Sequence, residues 1–444
     1  MSKKNKMGVW QLTILTAVNM MGSGIIMLPT KLAEVGTISI TSWIVTALGS
    51  MALAYGFAQC GMFSKKPGGM GGYAEYSFGK SGNFMANYTY GLSLAIANVA
   101  IAITAVGYAT EFFSAHLSPL SVAIWTVIVL WVTTVANFWG AKVTGRIGTF
   151  TVWGVIIPVV LVSIIGWFWF SGRSYAAAWN PHNYPFLKAM GQSISITLWS
   201  FLGLESACAN MDAVEDPQKS IPIAVLGGTL GCAIVYILST NIIAGIVPNA
   251  DLVHSTAPFG LAFATMFTPL IGKIIMAIMI IACIGSLLGW QFTIGRVFKS
   301  SADIGYFPHI FSKVTKNDAP VVGMIILTGL QTLLALMTIS PTLASQFTVL
   351  VNLAVVTNLI PYLLSMGALA VIQIYAKVPI KKAQTSNIIA FIGSLYSLYA
   401  LYACGFEAMT YGAIVTFAGW TLYGFISHRF NVKKEESHPV HQAM

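Results

Sequence analysis

The chain has 444 residues, of which 56% are hydrophobic and only 8% are charged. Ordinary soluble domains are about 25% charged, so a soluble fold cannot hide this much apolar surface. The formal net charge is +10, but lysine and arginine form short clusters between apolar runs, which argues against nucleic-acid binding. The five cysteines have no CxxC spacing and no histidine partners, so neither a zinc site nor a disulfide framework is supported. These features predict an all-α membrane protein.

Twelve membrane spans are predicted in chain order, because each apolar run is long enough for a helix of about 20 residues that crosses the hydrocarbon core. Short connections rich in glycine, proline, asparagine and serine separate the runs. The basic segment 1–6 (MSKKNK) precedes an apolar segment that lacks a cleavage pattern and is therefore interpreted as the first span. The predicted spans are approximately 8–33, 38–62, 82–113, 120–138, 148–170, 189–212, 222–246, 260–298, 320–339, 345–374, 385–404 and 408–428.

Charge predicts the orientation of these spans. With the N-terminus in the cytoplasm, nineteen of the 23 basic residues fall on the cytoplasmic side. The other four are Lys31, Arg173, Lys188 and Lys273. Cationic loops are retained in the cytoplasm, so both termini, with tails at 1–7 and 429–444, are expected there.

Two spans carry a break signal at mid-membrane depth. Residues 19–24 (NMMGSG) place two glycines around a serine, and residues 200–207 (SFLGLESA) combine a glycine, two serines and a carboxylate. Close helix packing is one explanation for such small residues. Two breaks, each in the first span of a five-span half, are typical of an inverted repeat with substrate bound at broken helices.

Glu205 is the first candidate for chemistry, because a carboxylate near the centre of a span is costly and usually faces a cavity or a partner. A carboxyl that is neutral alone and ionised beside a cation is suited to coupling protons to a cationic substrate. Trp199 lies six residues earlier, and aromatic faces attract ammonium groups. A hydrogen-bonded carboxyl that holds spans together is the structural alternative. The glycine-rich segment 68–72 lacks the strand and Gly-Lys-Ser/Thr of a phosphate loop.

These residues alone leave several functions open. A carrier for organic cations fits, but arginine/agmatine, lysine/cadaverine and other exchange pairs differ by contacts worth only about 1–3 kcal/mol. A channel for organic cations also fits broken helices and a lone carboxylate. A membrane enzyme is disfavoured, because no nucleophile–base pair or metal cluster is visible.

Longer motifs narrow this choice. MGVWQLTILTAVNMMGSGIIMLPTKLAEVGTISI, GGMGGYAEYSFGKSGNFMANYTYG and TLWSFLGLESACAN followed by VEDP resemble the basic amino acid/polyamine antiporters of the amino acid–polyamine–organocation family. LLGWQFTI, LVNLAVVTNLIPY and GWTLYG extend the resemblance over nearly the whole chain. It implies a LeuT-type fold in the bacterial inner membrane. Inverted repeats of five helices at 8–170 and 171–374, with helices 1 and 6 broken, would be followed by two further helices at 375–428.

The resemblance also implies a function and a set of site residues. We expect exchange of putrescine for ornithine, proton-coupled putrescine uptake (symport), a homodimer and no cofactor. Substrate ammonium and carboxylate groups would bind the broken first span at Asn19, Ser23 and Gly24. Trp199 would stack on the substrate, Glu205 would be the acidic gate and the proton-coupling group, and Tyr90, Asn98 and Trp290 would complete the pocket or its gates. Further positions implied in diamine handling are Cys60, Glu75, Tyr76, Cys208 and Tyr423.

Overall fold

The structure is a computed structural model that describes residues 8–205, 216–340 and 342–435. Helices and their connections make up these residues, and no strand occurs among them. The helices are α1 (Val9–Met20), α2 (Leu28–Val35), α3 (Ile40–Phe63), α4 (Met70–Phe112), α5 (Pro119–Ala136), α6 (Ala141–Thr151), α7 (Trp153–Ile165), α8 (Gly172–Ala177), α9 (Phe186–Trp199), α10 (Pro217–Ile246), α11 (Asn249–Leu252), α12 (Pro258–Met266), α13 (Pro269–Asp303), α14 (Val321–Met337), α15 (Leu343–Tyr375), α16 (Ile380–Ala403) and α17 (Phe406–Glu435).

Eight helical segments of the described chain are long and apolar enough to cross a membrane. Two further apolar helices, α1 and α14, are shorter. The all-α membrane class is confirmed, whereas the predicted count of twelve spans goes beyond these eight. The eight segments are Thr37–Phe63, Met70–Phe112, Pro119–Trp139, Thr144–Phe168, Lys219–Ile246, Pro269–Asp303, Ser345–Tyr375 and Ile380–Ala403.

Helices α4 and α15 form the centre of the bundle. The most apolar stretch of α4 is 89% buried and that of α15 is 67% buried, against 33% for α5 and for α16. A helix that is apolar all round must be covered by protein or by lipid. The outer helices accordingly expose large apolar side chains such as Ile124, Trp125 and Phe391, so α4 and α15 are positioned to carry an interior site.

The chain leaves helical geometry at both predicted breaks. Helix α1 ends at Met20, a short 3₁₀ turn covers Ser23–Ile25, and α2 begins at Leu28. Helix α9 ends at Trp199, and Gly203 then adopts φ +108°. Glycine tolerates this left-handed region because it has no Cβ. Backbone donors and acceptors of both segments are therefore released from the helical hydrogen-bond ladder.

The prediction that the eighth span, 260–298, is one continuous helix was wrong. Helix α12 ends at Met266, Phe267 leaves helical geometry with φ −127° and ψ −93°, and α13 begins at Pro269. The hydroxyl of Thr268 accepts a hydrogen bond from the backbone N–H of Ile271 at 3.3 Å. Proline is favoured in the first turn because its missing N–H is not needed there, so this pair starts a new helix inside an uninterrupted apolar run.

The third predicted span, 82–113, belongs to a longer helical element. Gly68 and Gly69 form a turn with φ +96° and +58°, and α4 then begins at Met70. Gly79, with φ 62° and ψ −157°, interrupts the element before the predicted span starts. The glycine-rich segment is thus a turn leading into a short helical stretch that ends at Gly79.

Candidate functional site

The two broken segments touch each other in the middle of the bundle. A Cβ on Gly203 would lie 3.0 Å from the carbonyl oxygen of Asn19, and a Cβ on Gly24 would lie 3.4 Å from Cα of Ser200. A Cβ at Gly203 would require the Asn19 carbonyl to shift, whereas a Cβ at Gly24 would make an ordinary van der Waals contact. Gly203 therefore allows close backbone approach as well as irregular geometry.

Glu205 lies where these segments meet and is only 6% exposed. Its Oε1 accepts a hydrogen bond from the hydroxyl of Tyr90 at 3.0 Å, and its Oε2 accepts one from the backbone N–H of Gly203 at 3.0 Å. The hydroxyl of Tyr362 also donates to Oε2. Three donors thus hold the carboxylate in one orientation, which is the arrangement that a buried acceptor requires.

No fixed cation neutralises Glu205 in the described part of the chain. The ion pairs found there are Lys31–Glu34, Lys66–Glu75, Arg296–Asp318 and Lys299–Asp303. A buried carboxylate without a basic partner is costly unless a mobile cation supplies the missing charge. The arrangement is therefore suited to binding a cationic molecule.

A small cavity of about 50 Å³ lies beside Glu205. This is room for a few water molecules, since each needs about 10–15 Å³. Binding of a larger molecule therefore requires the lining side chains to move. The cavity joins the two breaks to α4, α13 and α15, and its lining includes Asn19, Gly24, Tyr90, Trp199, Gly203, Glu205, Trp290 and Asn358.

Two tryptophans contribute aromatic faces to this cavity. Trp199 is 6% exposed, and its ring meets that of Phe347 edge to face at 6.4 Å. Its Nε1 is buried and has no hydrogen-bond partner among the described residues. Trp290 comes from α13 on another wall. Aromatic faces next to a carboxylate attract ammonium groups by about 0.5–2 kcal/mol, so the cavity combines two features that favour organic cations.

Two larger cavities continue from this one toward the end of the bundle that carries the start of α4. One, of about 510 Å³, shares Asn19, Tyr90 and Trp290 with the small cavity and is also lined by α6 and α13. The other, of about 370 Å³, touches Tyr90 and Glu205 and extends to Gly68. Tyr90 borders all three cavities, so its side chain lies where the small cavity meets the two larger ones.

Asn98 is placed beside the cavity rather than in its wall. Its Nδ2 donates to Oε1 of Gln291 at 3.1 Å, and Gln291 exchanges two hydrogen bonds with Gln331, at 2.6 and 3.0 Å. The Oδ1 of Asn98 is buried without a partner in the described chain. Gln291 follows Trp290 directly in α13, so this amide network supports the helix that carries the tryptophan.

Four other predicted residues lie away from the cavity. Cys60 is fully buried in α3, and its thiol donates a hydrogen bond to the carbonyl oxygen of Ser365 at 3.5 Å.

Glu75 and Tyr76 lie near the start of α4. The carboxylate of Glu75 pairs with Lys66 at 2.9 Å and accepts a hydrogen bond from Asn83 at 2.7 Å. The hydroxyl of Tyr76 accepts a hydrogen bond from the backbone N–H of Lys65 at 2.9 Å. Tyr423 packs its ring against Phe84 at 5.4 Å. The side chain of Ser23 and the whole of Cys208 lie outside the described residues.

Tyr362 was missed by sequence reasoning. It is fully buried in α15, 157 residues from the carboxylate that its hydroxyl contacts. Its only local signal is the NLIPY stretch, where Pro361 lies inside the helix. Asn358, one turn earlier in α15, lines the cavity and was missed in the same way.

Comparison with known proteins agrees with this geometry. A family model described as amino acid permease matches residues 7–425. The chain is 70% identical to the putrescine transporter PotE of Haemophilus influenzae, over 98% of this chain and 100% of that protein. It is also 70% identical to PotE of Escherichia coli K12, over 98% and 99% of the two chains. A cadaverine/lysine antiporter of Escherichia coli K12 is 31% identical over 99% and 98%.

Proposed function

This chain belongs to the amino acid permease family, and from that premise we propose that it exchanges putrescine for ornithine across the bacterial inner membrane. The observation that carries the proposal is the 70% identity, over essentially the full length of both chains, to PotE putrescine transporters. The burial of Glu205, and the absence of a basic partner for it among the described residues, support a positively charged substrate. The family transports rather than catalyses, so an enzymatic role is not part of the proposal.

The small cavity is the proposed substrate site. We propose that an ammonium group of the substrate binds Glu205, that the methylene chain lies against Trp199, and that backbone groups near Asn19, Ser23 and Gly24 bind the α-ammonium and carboxylate of ornithine. Tyr90 and Trp290 would gate the site, because both line the small cavity and its neighbour. Asn98 would act through the Gln291–Gln331 network.

The remaining predicted residues are proposed to act away from the small cavity. Cys60 packs α3 against α15, and Glu75, Tyr76 and Tyr423 lie toward the end of the bundle where α4 begins. Their effect on diamine handling would come through packing or through the access route. Cys208, close to Glu205 in sequence, remains a predicted site residue.

The proposed architecture is twelve spans in a LeuT-type arrangement. Inverted repeats would occupy 8–170 and 171–374, two further helices 375–428, and cytoplasmic tails 1–7 and 429–444. The positions of the breaks after α1 and α9 support this arrangement, since transporters with inverted repeats bind substrate at discontinuous helices. A homodimer is proposed from family resemblance.

The charges of the substrates fix the energetics of the proposed cycle. Putrescine carries two positive charges at neutral pH and ornithine one, so export of putrescine against ornithine moves one positive charge outward. A membrane potential of about −100 mV inside opposes this by about 2.3 kcal/mol. Concentration gradients must therefore drive the exchange. Proton-coupled putrescine uptake would use Glu205, because it is the carboxyl that lines the proposed site.

Counterflow into proteoliposomes tests the proposed substrates. Vesicles loaded with ornithine, arginine, lysine or buffer alone would receive labelled putrescine outside. We expect uptake to be strongest with internal ornithine. Preference for internal arginine or lysine would change the substrate pair and keep the family, whereas equal uptake into empty vesicles would indicate a channel or uniporter.

A further inference from the structure

A polar cavity of about 410 Å³ lies at the end of the bundle opposite the cavities that reach the start of α4, which is the outer end in the proposed orientation. Its volume is within the roughly 300–1,000 Å³ of small-molecule pockets. The end of α4, the segment before α12 and the beginning of α15 form its walls. The polar side chains that line it are Thr110, Glu111, Ser114, His116, Thr256, Ser340 and Gln346.

This outer cavity is separated from the site at Glu205 by a closed layer. Ile101 lines the inner site and Thr110 the outer cavity, nine residues or about 14 Å apart along α4. Tyr108 lies between them, fully buried, and its hydroxyl donates to the carbonyl oxygen of Ile26 at 3.2 Å and accepts from Phe259 N–H at 3.4 Å. The two cavities therefore lie along one helix but do not communicate in this conformation.

Glu111 gives the outer cavity a negative wall. Its Oε2 accepts a hydrogen bond from the hydroxyl of Thr256 at 3.2 Å. Among the described residues, no lysine or arginine lines the cavity, and none of the four ion pairs found there uses this carboxylate. His116 is the other titratable group there. A carboxylate that faces a cavity without a basic neighbour favours an ammonium ligand.

Other walls of the cavity have the opposite polarity. The first residues of α5 and α15, Pro119 and Leu343, line it, so both helices begin at this cavity, where the side chains of Ser118 and Thr342 each cap one backbone N–H. Helix N-termini carry partial positive charge and favour carboxylates. A molecule with both an ammonium and a carboxylate group matches this combination better than a diamine, which lacks the carboxylate.

We infer that the outer cavity is a waiting site for a cationic amino acid that arrives from outside, with its ammonium group against Glu111. The inference rests on the proposed exchange, in which ornithine is the external substrate. The amino acid would bind here before the layer around Tyr108 opens and would then move to Glu205. The site would raise the local concentration of substrate without contributing to binding from inside.

Kinetics measured separately on the two faces test this inference. Vesicles of uniform orientation, loaded with ornithine, would exchange against labelled external ornithine. We expect Glu111→Gln to raise the KM for external ornithine about two- to fivefold, the range for a partly solvated ion pair, with unchanged Vmax. The KM for internal ornithine should not change. Raising the salt to about 0.5 M should remove the difference, because it screens exposed charges.

Two variants control for charge and position. Glu111→Asp keeps the charge and should give the external KM of the unmodified chain. Glu407→Gln neutralises an exposed carboxylate at the start of α17, outside the cavity, and should leave the external KM unchanged. An unchanged external KM in Glu111→Gln, or an equal change on both faces, would overturn the inference alone. Absence of exchange in the unmodified chain would overturn the proposed function and this inference with it.

Discussion

Neutralising Glu205 is the most informative change to the proposed site. Glu205→Gln preserves the shape of the side chain, and an amide oxygen in the Oε2 position can still accept from Tyr362 and from the N–H of Gly203. Its amide nitrogen would then donate to the hydroxyl of Tyr90. The substitution therefore removes the charge and leaves the local hydrogen-bond network in place.

The expected cost follows from the interaction that is lost. A hydrogen bond to a charged group contributes about 1.5–3 kcal/mol, so the Kd for putrescine should rise about 10- to 150-fold. Its dependence on pH should become flatter, because the titrating group of the proposed coupling is gone. Isothermal titration of the purified protein at two pH values measures both effects, and Glu407→Gln serves as the matched neutralisation of an exposed carboxylate.

A structural role for Glu205 predicts a different result. Glu205→Gln would then lower the thermal unfolding temperature but keep the putrescine affinity of the unmodified chain, with the same pH dependence. That outcome would refute the reasoning that the carboxylate is the counter-ion of the substrate.

Three further changes probe the surroundings of the site. Trp199→Leu removes an aromatic face and should weaken putrescine binding about 2- to 30-fold, measured by the same titration. Gly203→Ala places a Cβ at φ +108° and 3.0 Å from the carbonyl oxygen of Asn19, which should cost about 1–3 kcal/mol and lower the unfolding temperature, whereas Gly231→Ala, with no atom within 4 Å, should not. Gln331→Leu removes two buried hydrogen bonds and should destabilise the protein by about 1–3 kcal/mol, measured as a lower unfolding temperature. An unchanged unfolding temperature in that variant would show that the amide network contributes nothing to stability.

The two helix breaks were predictable because they depend on local chemistry. Glycines next to polar groups at mid-membrane depth are unfavourable in a regular helix, and this cost is visible within a few residues of sequence. The same reasoning identified Glu205, since a carboxylate in an apolar run is conspicuous wherever its partners lie. Local composition therefore predicted the two segments that meet at the cavity.

The boundary between α12 and α13 was not predictable from hydropathy, because the apolar run continues through Phe267 without a charge. Thr268 and Pro269 carried the signal as a capping residue followed by a first-turn proline.

The partners of Glu205 could not be predicted for a different reason. Tyr362 is brought to the site by the packing of α15, and aromatic residues in membrane helices are too common for one of them to be singled out. Conversely, Cys60, Glu75, Tyr76 and Tyr423 lie apart from the small cavity, which only the packing of the helices reveals.

Voltage dependence tests the central claim, exchange of a diamine for an amino acid, most directly. Vesicles that contain putrescine and a potassium gradient would be clamped with an ionophore at about −100 mV or at zero, and labelled ornithine would be added outside. Exchange moves one positive charge outward, which costs about 2.3 kcal/mol at about −100 mV. Ornithine accumulation at equilibrium should therefore be about 50-fold lower at that voltage than at zero. Ornithine–ornithine exchange, measured in vesicles loaded with ornithine in place of putrescine, should be insensitive to voltage. Equal sensitivity in both experiments, or ornithine current without internal substrate, would contradict the account.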